Sequence, residues 1–155
     1  LFRSPIRIEQ YGLVPNSGGP GKHRGGLSMI RDYRFLGDAG TMTLRSDKRR
    51  FPPFGLSGGK AGAPCLSIVN PDGEARSLPV LIINPVTLRN GDLFRHMLPG
   101  AGGWGNPFER DPERVLEDVK LGKVDREHAR QAYGVVITGE PPTVDAEATK
   151  KARAA

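Results

Sequence analysis

Apolar residues along this chain stand in short runs separated by glycine, proline and charge, the rhythm of a turn-rich β domain. Arg7-Ile8-Glu9-Gln10-Tyr11-Gly12-Leu13-Val14 reads as a short strand that ends at the turn Pro15-Asn16. In residues 27–35, Tyr33 and Phe35 alternate with Asp32 and Arg34, the period of two that marks a half-buried strand. Residues 41–45 repeat the alternation after Gly37-Asp38-Ala39-Gly40, so the two segments are expected to pair as a hairpin. Residues 66–69, 78–83 and 93–98 are further strand segments. Asn70-Pro71-Asp72-Gly73 is a turn in which proline sets φ and glycine accepts a positive one, and Asn90-Gly91-Asp92 marks another.

The pattern changes at Asp111. Asp111 is an N-cap followed by Pro112 at the first helical position and by acids in the first turn, with Gly122 beyond the end. Asp125 caps a second helix with Ala129, Ala132 and Tyr133 on one face and Gly134 at its close. The expected fold is therefore mainly β (α+β). A Gly-rich β-sandwich or barrel-like domain spans residues 1–108, a helical hairpin 109–137, and a linker with a tail helix 138–155, frayed or docked on a partner.

Composition narrows the picture. At 155 residues the chain is one domain in size, able to bury about 68–70% of its unfolded surface. Cys65 is the single cysteine, so no internal disulfide forms, which fits a reducing, cytoplasmic compartment. No apolar run reaches the roughly 20 residues of a membrane span, so no membrane partner is expected. A chain that begins with Leu1 points to a piece of something longer. Charge is uneven: residues 1–60 hold 11 Lys and Arg against 4 Asp and Glu, and residues 61–155 hold 12 against 13. Any partner of the basic part is anionic, and the alternative is a solvated basic surface.

Thirteen of the 21 glycines fall within residues 18–26, 55–62 and 100–105, where backbone can approach a ligand or another chain closely. The first cluster carries Lys22 and Arg24, but Asn16 and His23 stand where a Walker A loop needs glycine and a hydroxyl residue. It reads as an anion-holding loop or a tight basic turn. The third matches G-x-G-x-x-G without a surrounding βαβ unit, and Trp104 there either packs in a tight loop or lines a pocket. Around the second, Arg45, Lys48, Arg49, Arg50 and Lys60 accompany Phe51 and Phe54; no RNP, zinc-finger or helix-turn-helix pattern is present, and nucleic acid is not expected as a partner. His23, His96 and His128 lack metal-ligand spacing and read as ordinary histidines, so no metal site is expected. No Ser, His and Asp grouping announces a nucleophilic triad.

These segments taken together resemble one family. Residues 16–26, with Asn16-Ser17-Gly18-Gly19-Pro20-Gly21-Lys22-His23-Arg24-Gly25-Gly26, and residues 44–60, with Arg45-Ser46-Asp47-Lys48-Arg49-Arg50-Phe51-Pro52-Pro53-Phe54-Gly55, are similar to the C-terminal part of the hydantoinase B/oxoprolinase family. Residues 99–107, 109–119 and Tyr133-Gly134-Val135-Val136 fit in the same order. The resemblance implies ATP-dependent enzymes that open cyclic amides such as hydantoins or oxoproline, together with related ketone carboxylases. It implies an A-type ATP-binding subunit and a longer B-type chain or segment as partners. ATP and Mg belong to the whole complex and are not bound by this chain alone. This chain corresponds to the last part of a B-type subunit, completing a shared active site and not active by itself. Under this reading Arg24, Arg45, Arg49, Arg50 or Lys60 faces a phosphorylated intermediate, Lys22 is a further phosphate contact, Asp47 orients the basic residues, and Trp104 borders the substrate. The alternatives are a non-catalytic assembly module of the same complex and a piece of a related ketone carboxylase.

Overall fold

A computed structural model describes residues 4–154. Seven strands build the first part of the chain: β1 (Ile6–Leu13), β2 (Met29–Phe35), β3 (Ala39–Met42), β4 (Leu66–Val69), β5 (Arg76–Ser77), β6 (Val86–Arg89) and β7 (Leu93–Met97). Five form an antiparallel sheet in the order β1-β2-β7-β4-β5, and β3 and β6 form a separate two-stranded sheet. The sheets are open, so the fold is mainly β with α and the barrel alternative is not the one adopted.

The expected hairpin between residues 27–35 and 41–45 does not form. Both segments do contain strands, but β2 is sandwiched between β1 and β7, which use both of its hydrogen-bonding edges, and β3 must pair elsewhere. Residues 78–83 are likewise not a regular strand. Leu78 and Ile82 point into the core from an irregular segment, and the strand that pairs with β3 is β6, which the pattern does not reveal. Phe35, Val69, Leu78, Ile82 and Leu88 make the core between the two sheets, with Met42, Leu44, Val86 and Phe94 packed against it.

The three glycine clusters are one structure. Gly19 donates to the Ala101 carbonyl, Lys60 to Pro20, Gly103 to Lys60, and Leu56 to Gly103, at 2.7–2.9 Å. Segments that are neither helix nor strand thus lie side by side, joined backbone to backbone. At Gly100 and Gly102 a Cβ would collide with the Ser17 and Phe54 carbonyls respectively, so close approach is what demands glycine there.

Helix α1 (Pro112–Lys120) begins at Asp111, whose side chain accepts from the Glu113 N–H. Helix α2 (Arg126–Tyr133) begins at Asp125, which accepts from His128 N–H, and closes at Gly134 in the left-handed conformation. The short strands β8 (Ile137–Thr138) and β9 (Thr143–Val144) and helix α3 (Ala146–Ala154) follow. Val115, Leu116, Val124, Ala129, Tyr133, Val135 and Ile137 form a second core. Each large apolar side chain of this kind, fully buried, contributes about 1.5–3 kcal/mol. The last helix is docked on this chain's own residues: Arg153 donates to the Tyr133 and Arg110 carbonyls, and the Thr149 hydroxyl accepts from Val136 N–H. Asn16 clasps the helical part to the sheet part through reciprocal bonds with Asp125, its amide donating to the carboxylate at 2.6 Å and its oxygen accepting from the Asp125 N–H at 3.0 Å.

Candidate functional site

The segment that follows β3 is fixed by its backbone and leaves several of its cations unpaired. Ser46 N–H donates to Val80, Cys65 N–H donates to the Lys48 carbonyl, and Arg45 bridges to Leu81. The Arg49 guanidinium is tied to the Leu78 carbonyl and to the Ser77 hydroxyl. Among the described residues the side chains of Arg45, Lys48 and Arg50 have no hydrogen-bonding or ion-pair partner. Lys48 holds a positive φ of 57°, and Arg50 lies 5.4 Å from the centre of the exposed Phe51 ring. Lys48, Arg49 and Arg50 line an open groove of about 730 Å³ with Asp47, Pro79 and Val80.

A second hollow of about 510 Å³ adjoins the groove, because Ser46 and Asp47 line both. Its remaining walls are Arg45, Cys65, His96, Leu98 and Pro99. His96 reaches it by strand register: it stands opposite Arg31 on β2 and Ser67 on β4. The Ser67 hydroxyl meets His96 Nδ1 at 2.9 Å. Burial, and secondarily the Arg31 charge, hold the imidazole below its ordinary pKa, so it is neutral near pH 7.

Of the residues singled out from sequence, the fold gathers Arg45, Asp47, Arg49 and Arg50 and sends the others elsewhere. Arg24 donates from Nε and Nη2 to the two oxygens of Asp118 at 3.0 and 3.2 Å, and from Nη1 to the Gly25 carbonyl. Arg110 joins the same carboxylate at 2.9 Å, which makes a buried brace between the glycine layer and α1. Lys22 forms an exposed ion pair with Glu109 at 3.3 Å. Lys60 borders a separate depression with Pro20, Gly58, Asn106 and Phe108. Trp104 is half exposed on the glycine layer, its ring tilted against His23 at 5.4 Å. The backbone N–H groups of Gly19, Lys22 and His23 bond to the third glycine cluster and that of Gly25 to the Gly19 carbonyl, so those donors are used in packing and do not cradle an anion.

His96 escapes a reading of the sequence, and Lys48 is visible in it only as one of the run of basic residues. His96 is detectable only through its place opposite Ser67, which requires knowing the pairing of β4 with β7. Among the described residues no three His, Cys, Asp or Glu side chains are grouped to hold a metal ion, and no helix is long and apolar enough to cross a membrane.

Comparison with known proteins follows the same outline. The profile of the hydantoinase B/oxoprolinase family matches residues 2–107. The B-type subunit of a putative D-/L-hydantoinase from Pseudomonas sp. (strain NS671) is 37% identical over 96% of this chain and 25% of its own length. The crystal structure of the ATP-dependent caprolactamase from Pseudomonas jessenii superposes with a TM-score of 0.86 at 30% identity, covering 99% of this chain and 27% of that one. A nucleotide-free acetone carboxylase shares the fold, with a TM-score of 0.79 at 23% identity over 97% of this chain and 24% of that one. The chain thus spans about a quarter of the length of the relatives it matches.

Proposed function

The chain belongs to the hydantoinase B/oxoprolinase family, and on that premise we propose that it is the C-terminal part of the B-type subunit of an ATP-dependent cyclic-amide hydrolase. It completes a shared active site and is not active alone. The observation that carries this reading is the groove, where Lys48 and Arg50 stand unpaired on a backbone fixed by hydrogen bonds. Guanidinium and ammonium groups held without internal partners are prepared to meet phosphoryl oxygens, and a rigid backbone means that little is reorganised on contact. Asp47 stands in the same wall without bonding to either cation, and its charge sits beside theirs. ATP and Mg²⁺ are held by the A-type subunit and supply the activation of the amide. The longer remainder of the B-type protein carries the rest of the site, and the complex works in the cytoplasm.

Arg50→Ala and Lys48→Ala, each introduced into the assembled enzyme, are expected to lower kcat/KM by at least about tenfold while the composition of the complex by native mass spectrometry is unchanged. Near-normal turnover in an intact assembly overturns the reading in favour of a non-catalytic module.

A further inference from the structure

The hollow beside the groove has chemistry of its own. On the core-bearing face of the five-stranded sheet, Arg31, His96 and Ser67 stand side by side on β2, β7 and β4. Ser67 is 2% exposed, and its hydroxyl bond to Nδ1 fixes the plane of the imidazole. With Ser67 donating, the ring proton resides on Nε2, which has no protein partner among the described residues. The imidazole is then a neutral, oriented donor on the floor of a lined cavity.

Charge around this floor is out of balance. Arg31 contacts Tyr11 and the Met29 sulfur, its guanidinium lying 5.0 Å from the Tyr11 ring centre, and its buried Nε has no partner. Arg45, on the wall, pairs with no carboxylate among the described residues. Asp47 is the single carboxylate in the lining, while Cys65 is a buried thiol and Leu98 and Pro99 are apolar. The half-buried Arg31 beneath the floor and the exposed Arg45 on the wall, against one carboxylate, leave a local surplus of one positive charge, which an anion would neutralise.

We propose that this hollow binds one small oxyanion, a carboxylate or a phosphoryl group, received by Arg45 and by Nε2–H of His96. Ser67 is the positioning residue that sets the tautomer, and Asp47 on the shared wall limits the site to a single such group. The proposal stands apart from the role assigned to Lys48 and Arg50, because its anion donors, Arg45 and His96, are different residues, although Asp47 borders both. The groups facing His96 are Arg31 with Tyr11 and Tyr33 behind it, Ser67 and Cys65 from the β4 side, and Arg45 and Asp47 from the wall. Protonating His96 adds a positive charge beside Arg31 and Arg45 and strengthens the field for an anion.

The test is calorimetric titration of the full-length B-type protein with inorganic phosphate and, separately, with acetate, on either side of pH 6.5. A single site is expected, with affinity rising as the pH falls. His96→Gln and Arg45→Met each weaken binding by about tenfold or more. His96→Gln also abolishes the pH dependence of acetate binding, acetate being ionised on both sides of pH 6.5, whereas a purely structural loss would leave it in place. Asp47→Asn tightens binding, and Ser67→Ala weakens it less than His96→Gln. Thermal melts that match the wild type confirm that the variants fold. Response to phosphate alone assigns a phosphoryl source, and response to acetate alone a carboxylate. Absence of binding to either, or variants that bind as the wild type does, overturns the proposal. Arg50→Ala is expected to keep this affinity while losing turnover, so failure here and failure of the groove reading are separable.

Discussion

Arg24 and Arg50 sit in equally basic, glycine-rich stretches of sequence, yet the fold gives them opposite work. Arg24 meets Asp118, delivered by α1 from 94 positions away, and with Arg110 it forms a brace whose three side chains are each no more than 14% exposed. Arg50 meets no carboxylate among the described residues and lies open on a groove against an exposed ring. Density of positive charge along the chain does not make a binding site. What decides is whether a distant element supplies the counterion, because a cation already neutralised and buried presents little charge or surface to a ligand.

The sharpest way to break this contrast is to remove the counterion. Asp118→Ala leaves two guanidinium groups buried and unpaired, and is expected to cost about 3–5 kcal/mol in urea unfolding of the full-length protein. Replacing the whole brace, with Arg24→Met, Arg110→Met and Asp118→Leu together, recovers most of that loss. Arg50→Ala in the same assay changes stability by no more than about 0.5 kcal/mol, since its one ring neighbour, Phe51, is itself exposed. An Asp118→Ala variant as stable as the wild type would place Arg24 among the available cations again.

The same contrast explains what can be read from sequence. Helices α1 and α2 are legible to the residue, because Asp111, Pro112, Asp125 and Gly134 act through bonds within a few positions of themselves. The grouping of Arg45, Asp47, Arg49 and Arg50 is legible for the same reason, being nearly contiguous. Pairing is not: nothing local tells that β3 leaves β2 for β6, or that residues 18–26, 55–62 and 100–105 close on one another through backbone bonds. His96 belongs to that class, since its environment is made by Arg31 and Ser67 from two other strands. Glycine clusters read as loops because their partners are other glycine clusters, and no side-chain pattern records such contacts.

Two histidines carry the comparison into titration. His96 in the hollow and His128 in the helical part are both held below the ordinary imidazole value of 6.5, burial being the first cause in each. In both cases the folded chain holds fewer protons than the unfolded one just below that value. Stability is then complete above about pH 6.5 and declines as pH falls through it. A second window opens lower, where Glu9, held at about 2 by its bonds to Arg34 and then Arg7, gives up its contribution as pH falls from 4.5. Melting temperatures across pH in a buffer poor in anions are expected to show the first decline, flattened in part by His128→Gln and in part by His96→Gln. Added phosphate should restore stability in acid through His96, and His96→Gln should abolish that rescue; His128→Gln should leave it intact. A flat profile from about pH 7 to 5 in the wild type would contradict the burial of both rings.

The smallest effect probes the interior of the brace region. Tyr133 is completely buried in the helical core, its hydroxyl has no partner among the described residues, and burial pushes its phenol up to about 12. Its charged neighbours are Arg110, Arg24 and Asp118, whose bonds are directed at one another instead of at the phenol. Tyr133→Phe removes an unsatisfied polar atom and keeps the ring in the packed core, so stability should stay level or rise by up to about 1 kcal/mol in urea unfolding. Combined with Asp118→Ala, the change should add its own small effect, because a hydroxyl bonded to nothing in the brace has no coupling to lose. A loss of more than about 1 kcal/mol from Tyr133→Phe alone would mean that the hydroxyl is bonded after all, with a buried water linking it to the brace.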